Sequence, residues 1–148
     1  MKVDGSPEST YMAIWEIEQE HSRTRWTVTT FFLSVSFAIL GASFQMSATA
    51  AQVQANSILG LSLSDIQRIT GMLIFWFAYI LFIQFNRYAN FLRGQLRKME
   101  KEHLVSFTIQ TEADNFMYSK IKAAFSAKWL LLYFGALYTV IVLFMVIA

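Results

Sequence analysis

Side chains that could do chemistry are few in this 148-residue chain. There is no cysteine, which rules out disulfides, thiolate metal sites and cysteine nucleophiles. No phosphate-binding glycine loop, carboxylate pair or metal-ligand spacing occurs, so neither a metal nor a cofactor is expected. What remains is hydrogen-bonding chemistry set into apolar stretches. On a helix turning about 100° per residue, Thr27, Thr30, Ser34, Ala38, Gly41, Gln45, Ala48 and Gln52 form one strip. The bulky Phe31, Phe32, Val35, Ile39 and Leu40 lie off it. A helix that faces only lipid has no use for such a strip. Thr30, Ser34, Ala38, Gly41, Gln45 and Gln52 are therefore candidates to line a weakly selective conduit or to contact another helix. A second strip, Thr29, Ser36, Ser43 and Ser47, lies opposite and predicts a close neighbour on that side too. Two small faces back to back point to a homo-oligomer, one face serving the chain's own helices and the other a partner.

The elements that carry these residues follow from composition. The chain is 55% hydrophobic and only 15% charged, against about 25% charged for a soluble domain. The expected fold is all-α: an integral membrane helix bundle with three transmembrane helices and cytoplasmic helical extensions, forming one domain over 1–148. The spans are about 26–49, 69–88 and 129–148, and the stalk comprises 7–25, 89–103 and 112–128. Ser6, Pro7 and Glu8 predict the first helix start, with Ser9 or Thr10 as later caps. Ser64 to Gln67 and Thr111 to Asp114 read as capping boxes for the second and third helices, with 103–111 as a turn-back segment. A rival reading makes 26–44 a signal-peptide core with a cleavage site at Ala48-Thr49-Ala50; the long acidic leader and the continuing apolar run weigh against it.

Charge gives the orientation. The 86–128 connection has eight basic residues and the 53–68 connection only Arg68. The positive-inside rule then places the amino terminus and the 86–128 connection in the cytoplasm and the carboxyl terminus outside, with a bacterial inner membrane as the expected location. Trp26, Tyr88 and Trp129 mark the inner interface. Before Trp26 the charge is −2, from Lys2, Arg23 and Arg25 against Asp4, Glu8, Glu16, Glu18 and Glu20. Over 86–128 it is +4, eight basic residues against Glu100, Glu102, Glu112 and Asp114. The acidic helix is expected to pack on the basic one, each exposed pair contributing under about 1 kcal/mol. The basic arm, Arg93, Arg97, Lys98, Lys101, Lys120 and Lys122, is a candidate site for lipid headgroups or an acidic ligand.

Apart from Arg87 at the inner edge of the second span, no charged side chain lies inside a span, which argues against proton relays, voltage sensors and ion-coupled transport. Gln84 and Asn86 on the second helix should face protein or water. The chain reads as a non-enzyme with no nucleic-acid partner. One contrast is the R-x5-H spacing of Arg97 and His103, which resembles the pair that HEPN-type ribonucleases present to an RNA phosphate. The layout resembles that of small multi-span effectors of antiphage signalling systems. The expected function is an oligomeric channel or membrane-perturbing effector, self-associating in the bilayer and controlled through its stalk. The alternative is a non-catalytic accessory or assembly subunit that binds a membrane or cytoplasmic protein partner.

Overall fold

The computed structural model describes residues 6–50, 62–120 and 127–147. Four helices follow one another: α1 Pro7–Ala50, α2 Leu63–Lys101, α3 Ile109–Lys120 and α4 Ala127–Ile147. No strand occurs among the described residues, and α1, α2 and α4 are each long and apolar enough to cross a membrane. The stretches 51–61 and 121–126, which hold Gln52, most of the 53–63 connection and Lys122, lie outside the described residues, as do the side chains of Ser47 and Lys120.

The helix starts show which local signals prevail. At α1, Ser6 Oγ accepts the Ser9 N–H at 3.2 Å, with Pro7 in the first helical position. At α2 the predicted cap is displaced by two residues. Ser62 rather than Ser64 caps the helix: its Oγ accepts the Asp65 N–H at 3.2 Å, and the Asp65 carboxylate accepts the Ser62 N–H at 3.2 Å. This reciprocal pairing uses a shorter acid in place of Gln67. Ser64 is buried. At α3 the start moves from 112 to Ile109, and the Thr108 carbonyl accepts the Glu112 N–H at 2.9 Å. Its hydroxyl donates to Glu112 Oε1 at 2.7 Å. The turn-back segment shortens accordingly.

α2 ends in a Schellman motif. The Leu104 N–H donates to the Met99 carbonyl and the His103 N–H to the Glu100 carbonyl, both at 3.1 Å. His103 occupies the left-handed position, φ 54°, where glycine is usual.

The chain divides into two compact units. The apolar unit, Thr27–Leu81 with Ala127–Ala148, contains the upper part of α1, the first half of α2, and α4. Phe75, Tyr138 and Val142 form its core, with Leu33, Leu40, Ile69, Met72 and Val146 packed around them. Thr29, Ser36 and Ser43 recur every seven residues on α1, and all are fully buried. On α4 the same seven-residue step relates Leu131 to Tyr138 and Gly135 to Val142, all buried. A 3.5-residue repeat is the pattern of left-handed coiled-coil packing. Small residues let the backbones close up: Ser36 Oγ donates to the Gly71 carbonyl at 2.8 Å. The outside of this unit is large and apolar, with Phe31, Leu73, Tyr133, Val140 and Phe144 all more than half exposed.

A Cβ at Gly71 would stand 2.6 Å from the Tyr138 hydroxyl oxygen and 3.2 Å from the Ser36 carbonyl oxygen. Gly71→Ala is therefore expected to destabilise this unit by about 1–3 kcal/mol through overpacking. The readout is the thermal unfolding midpoint of the purified protein in detergent; an unchanged midpoint would contradict the close α1–α2 contact.

The charged unit, Met1–Trp26 with Phe82–Ser126, contains the start of α1, the end of α2, and α3. Tyr11, Leu96 and Val105 are its core, with Ile14, Trp15, Met99 and Phe107 against them. The seven-residue step recurs on α1 at Tyr11, Glu18 and Arg25, all buried. Two of these three are charged.

Candidate functional site

Two sets of residues stand out, one in each unit. In the charged unit, three polar links join α1 to α2. Tyr11 Oη donates to Glu100 Oε1 at 2.7 Å. Arg93 donates from Nε and Nη2 to Glu18 Oε1, at 2.8 and 2.7 Å. Arg25 Nη1 donates to Asn86 Oδ1 at 2.8 Å. One register relates all three: each step of seven residues back along α1 is matched by a step of seven forward along α2. The packing of acidic on basic helix is seen at Glu18–Arg93, a buried carboxylate held by a half-buried guanidinium.

Glu100 is the hub. It is 3% exposed and, among the described residues, forms no salt bridge. Its oxygens instead accept the Tyr11 hydroxyl, the Gln110 and Thr111 N–H groups at 2.8 Å each, and the Thr111 hydroxyl at 2.6 Å. It thereby caps α3 from outside, satisfying two of the four N–H groups that a helix start leaves unpaired. This explains why α3 starts before Thr111: the cap comes from another helix. Burial pushes the Glu100 carboxyl up, but the hydrogen bonds from Thr111, Tyr11 and Gln110 outweigh it and hold the group below the ordinary carboxylate value. Burial and the same carboxylate push the Tyr11 phenol well up.

Arg25 is 7% exposed, and its guanidinium lies 5.6 Å from the Trp26 ring centre and 5.4 Å from that of Phe82. Burial and the neighbouring Arg93 pull its pKa down, against the attraction of Glu18. His21 packs edge-on to Tyr88 with ring centres 4.7 Å apart. Arg97 Nε donates to the Arg93 carbonyl at 3.3 Å, and His103 is exposed at the helix end. Lys98 and Lys101 are exposed on α2, and Lys98 stands 3.8 Å from Glu102.

In the apolar unit the two strips of α1 differ. Thr29, Ser36 and Ser43 are fully buried within the chain. Thr30, Ser34, Ala38, Gly41 and Gln45 are all exposed, and a Cβ at Gly41 would meet nothing within 4 Å. The Thr30 hydroxyl donates to the Thr27 carbonyl at 3.1 Å. The chain thus uses one small face internally and presents the other outward. No family model, curated protein or solved structure matches this chain. Its function must be read from these two faces and the polar links.

Residue type alone marks Glu18, Arg93 and Glu100 as surface charge and does not single out Tyr11, Gly71 or Gly135. The seven-residue spacing of Tyr11, Glu18 and Arg25 was the available signal. Gly135 carries its own: a Cβ there would meet Phe75 at 2.7 Å. Asn86 faces protein, as Arg25's acceptor, while Gln84 is exposed.

Proposed function

We propose that this chain is an integral membrane protein that self-associates through the outward face of α1, forming an oligomeric channel or membrane-perturbing effector. The observation that carries the reading is the exposure of Thr30, Ser34, Ala38, Gly41 and Gln45 amid large apolar side chains. Lipid rewards bulk on an outer face. Small hydroxyl and amide residues there suit a neighbouring helix or a water-filled path. The apolar skin of α1, α2 and α4 supports membrane insertion, and the excess of Lys and Arg in 86–128 supports a cytoplasmic charged unit. α1 and α2 each contribute to both units.

The test is the mass of the purified protein in nanodiscs together with voltage-clamped bilayer currents. The expected result is a homo-oligomer that passes current. A monomer without current overturns the reading; an oligomer without current points to the accessory-subunit role. Gln45→Leu refines the result. Changed conductance with assembly intact makes the outward face a conduit, and loss of assembly makes it a contact surface.

A further inference from the structure

The charged unit carries two exposed faces of opposite sign, the basic one paired, among the described residues, only at Lys98, by a 3.8 Å solvent-exposed contact with Glu102 on its own helix. Glu16 and Glu20 lie on α1 about 160° around from the buried Glu18, and both are exposed. Among the described residues neither makes an ion pair. Arg23, on the same side, has an interaction of its own. On α2 the side away from the core presents Arg87, Gly94 and Lys98, all exposed. Gly94 is in the middle of a helix, where glycine weakens the structure without packing benefit to this chain. A Cβ there would meet nothing within 4 Å. A bare notch between two cations is what a closely approaching helix would use.

We infer that the acidic face of α1 in one copy docks on the basic face of α2 in the next. This rests on the self-association proposed above and gives it a direction. The two faces differ, so the contact is heterologous, and a closing rotation turns it into a ring. The register set by Tyr11–Glu100, Glu18–Arg93 and Arg25–Asn86 puts Glu16 level with Gln95 and Glu20 level with Phe91. Copies related by an axis along these helices keep their heights. Glu16 then falls about 4.5 Å along the axis from Lys98 of the next copy, and Glu20 about 6 Å from its Arg87, at about 1.5 Å rise per residue. Both gaps are within the span of a long basic side chain meeting a glutamate. Gly94 lies between, level with Ile17, and admits the partner helix.

The experiment uses the full-length protein in nanodiscs of zwitterionic lipid, with oligomeric mass as the readout and circular dichroism to confirm helical content. Glu16→Lys with Glu20→Lys is expected to weaken association at least tenfold, and so is Arg87→Glu with Lys98→Glu. All four reversals in one chain should restore the wild-type oligomer, which a folding defect would not do. Gly94→Leu should also weaken association while leaving helical content unchanged. An oligomeric wild type whose mass is indifferent to both reversals overturns this docking and leaves self-association standing. A wild type that is monomeric overturns both. If, in parallel nanodiscs that contain anionic lipid, Arg87→Glu with Lys98→Glu lowers anionic-lipid retention and leaves oligomeric mass unchanged, the basic face serves the membrane surface and the docking is overturned.

Discussion

Glu100→Ala should lower the stability of the charged unit by about 3–5 kcal/mol. The carboxylate accepts four hydrogen bonds at 3% exposure. Its removal leaves the Tyr11 hydroxyl, two backbone N–H groups of α3 and the Thr111 hydroxyl without their acceptor, and each such loss costs about 1–3 kcal/mol, less where water can enter. The expected local sign is loss of amide-exchange protection at Gln110 and Thr111, with proteolytic cleavage appearing in 102–108. Retained protection at both amides would show that α3 docks by packing alone. The same hub sets a pH window. The Glu100 pKa is lowered by folding, so its contribution is complete above the ordinary carboxylate value and is lost as pH falls through the lowered one. The Tyr11 pKa is raised, so its contribution is complete below the ordinary phenol value and is lost as pH rises beyond it. Stability of the charged unit is therefore greatest from about pH 5 to about pH 10, and Glu100→Ala should flatten both flanks.

Arg93→Met should cost about 3–5 kcal/mol, because it strands a buried carboxylate. The Glu18 side chain is 2% exposed, and Arg93 supplies both of its charged donors; the Gln19 amide at 3.4 Å is a weak substitute. Glu18→Leu alone should cost less, since the Arg93 side chain is 36% exposed and can turn to solvent. The double variant should recover much of the loss, giving a coupling energy of about 2 kcal/mol or more in chemical unfolding. Additive losses would mean that the pair contributes no more than an exposed ion pair does.

Much of the fold was legible in the sequence because lipid-length apolar runs are a strong signal. The three long helices and the Ser6–Pro7 start follow from residue type alone. The other two starts shifted for physical reasons. At α2, Asp65 reaches back to Ser62 more directly than Gln67 does to Ser64. At α3, the cap is Glu100, ten and eleven residues away from the amides it binds, and no local pattern announces it. The same limit hid the function of the charges. Net sign suggested an acidic helix on a basic one, yet only Glu18 turns inward, while Glu16 and Glu20 remain outside. The heptad step decides this, and charge counting ignores it. For α1, spacing found both small strips but not which one the chain would bury. That choice belongs to Gly71 and Ser36, whose contact spans 35 residues.

The three polar links also set an order of assembly. Their partners are 61, 75 and 89 residues apart in the chain, for Arg25–Asn86, Glu18–Arg93 and Tyr11–Glu100 in turn. During synthesis the partner of Arg25 emerges first and that of Tyr11 last. The hairpin can therefore zip from Arg25 toward its open end, each closure shortening the loop that the next must close. Glu100 completes the sequence only once Gln110 and Thr111 have also been made. A chain that ends before Gln110 lacks its final clasp, and a series of purified truncations ending between 100 and 115 should gain protection at the Tyr11 end only once Gln110 and Thr111 are both present.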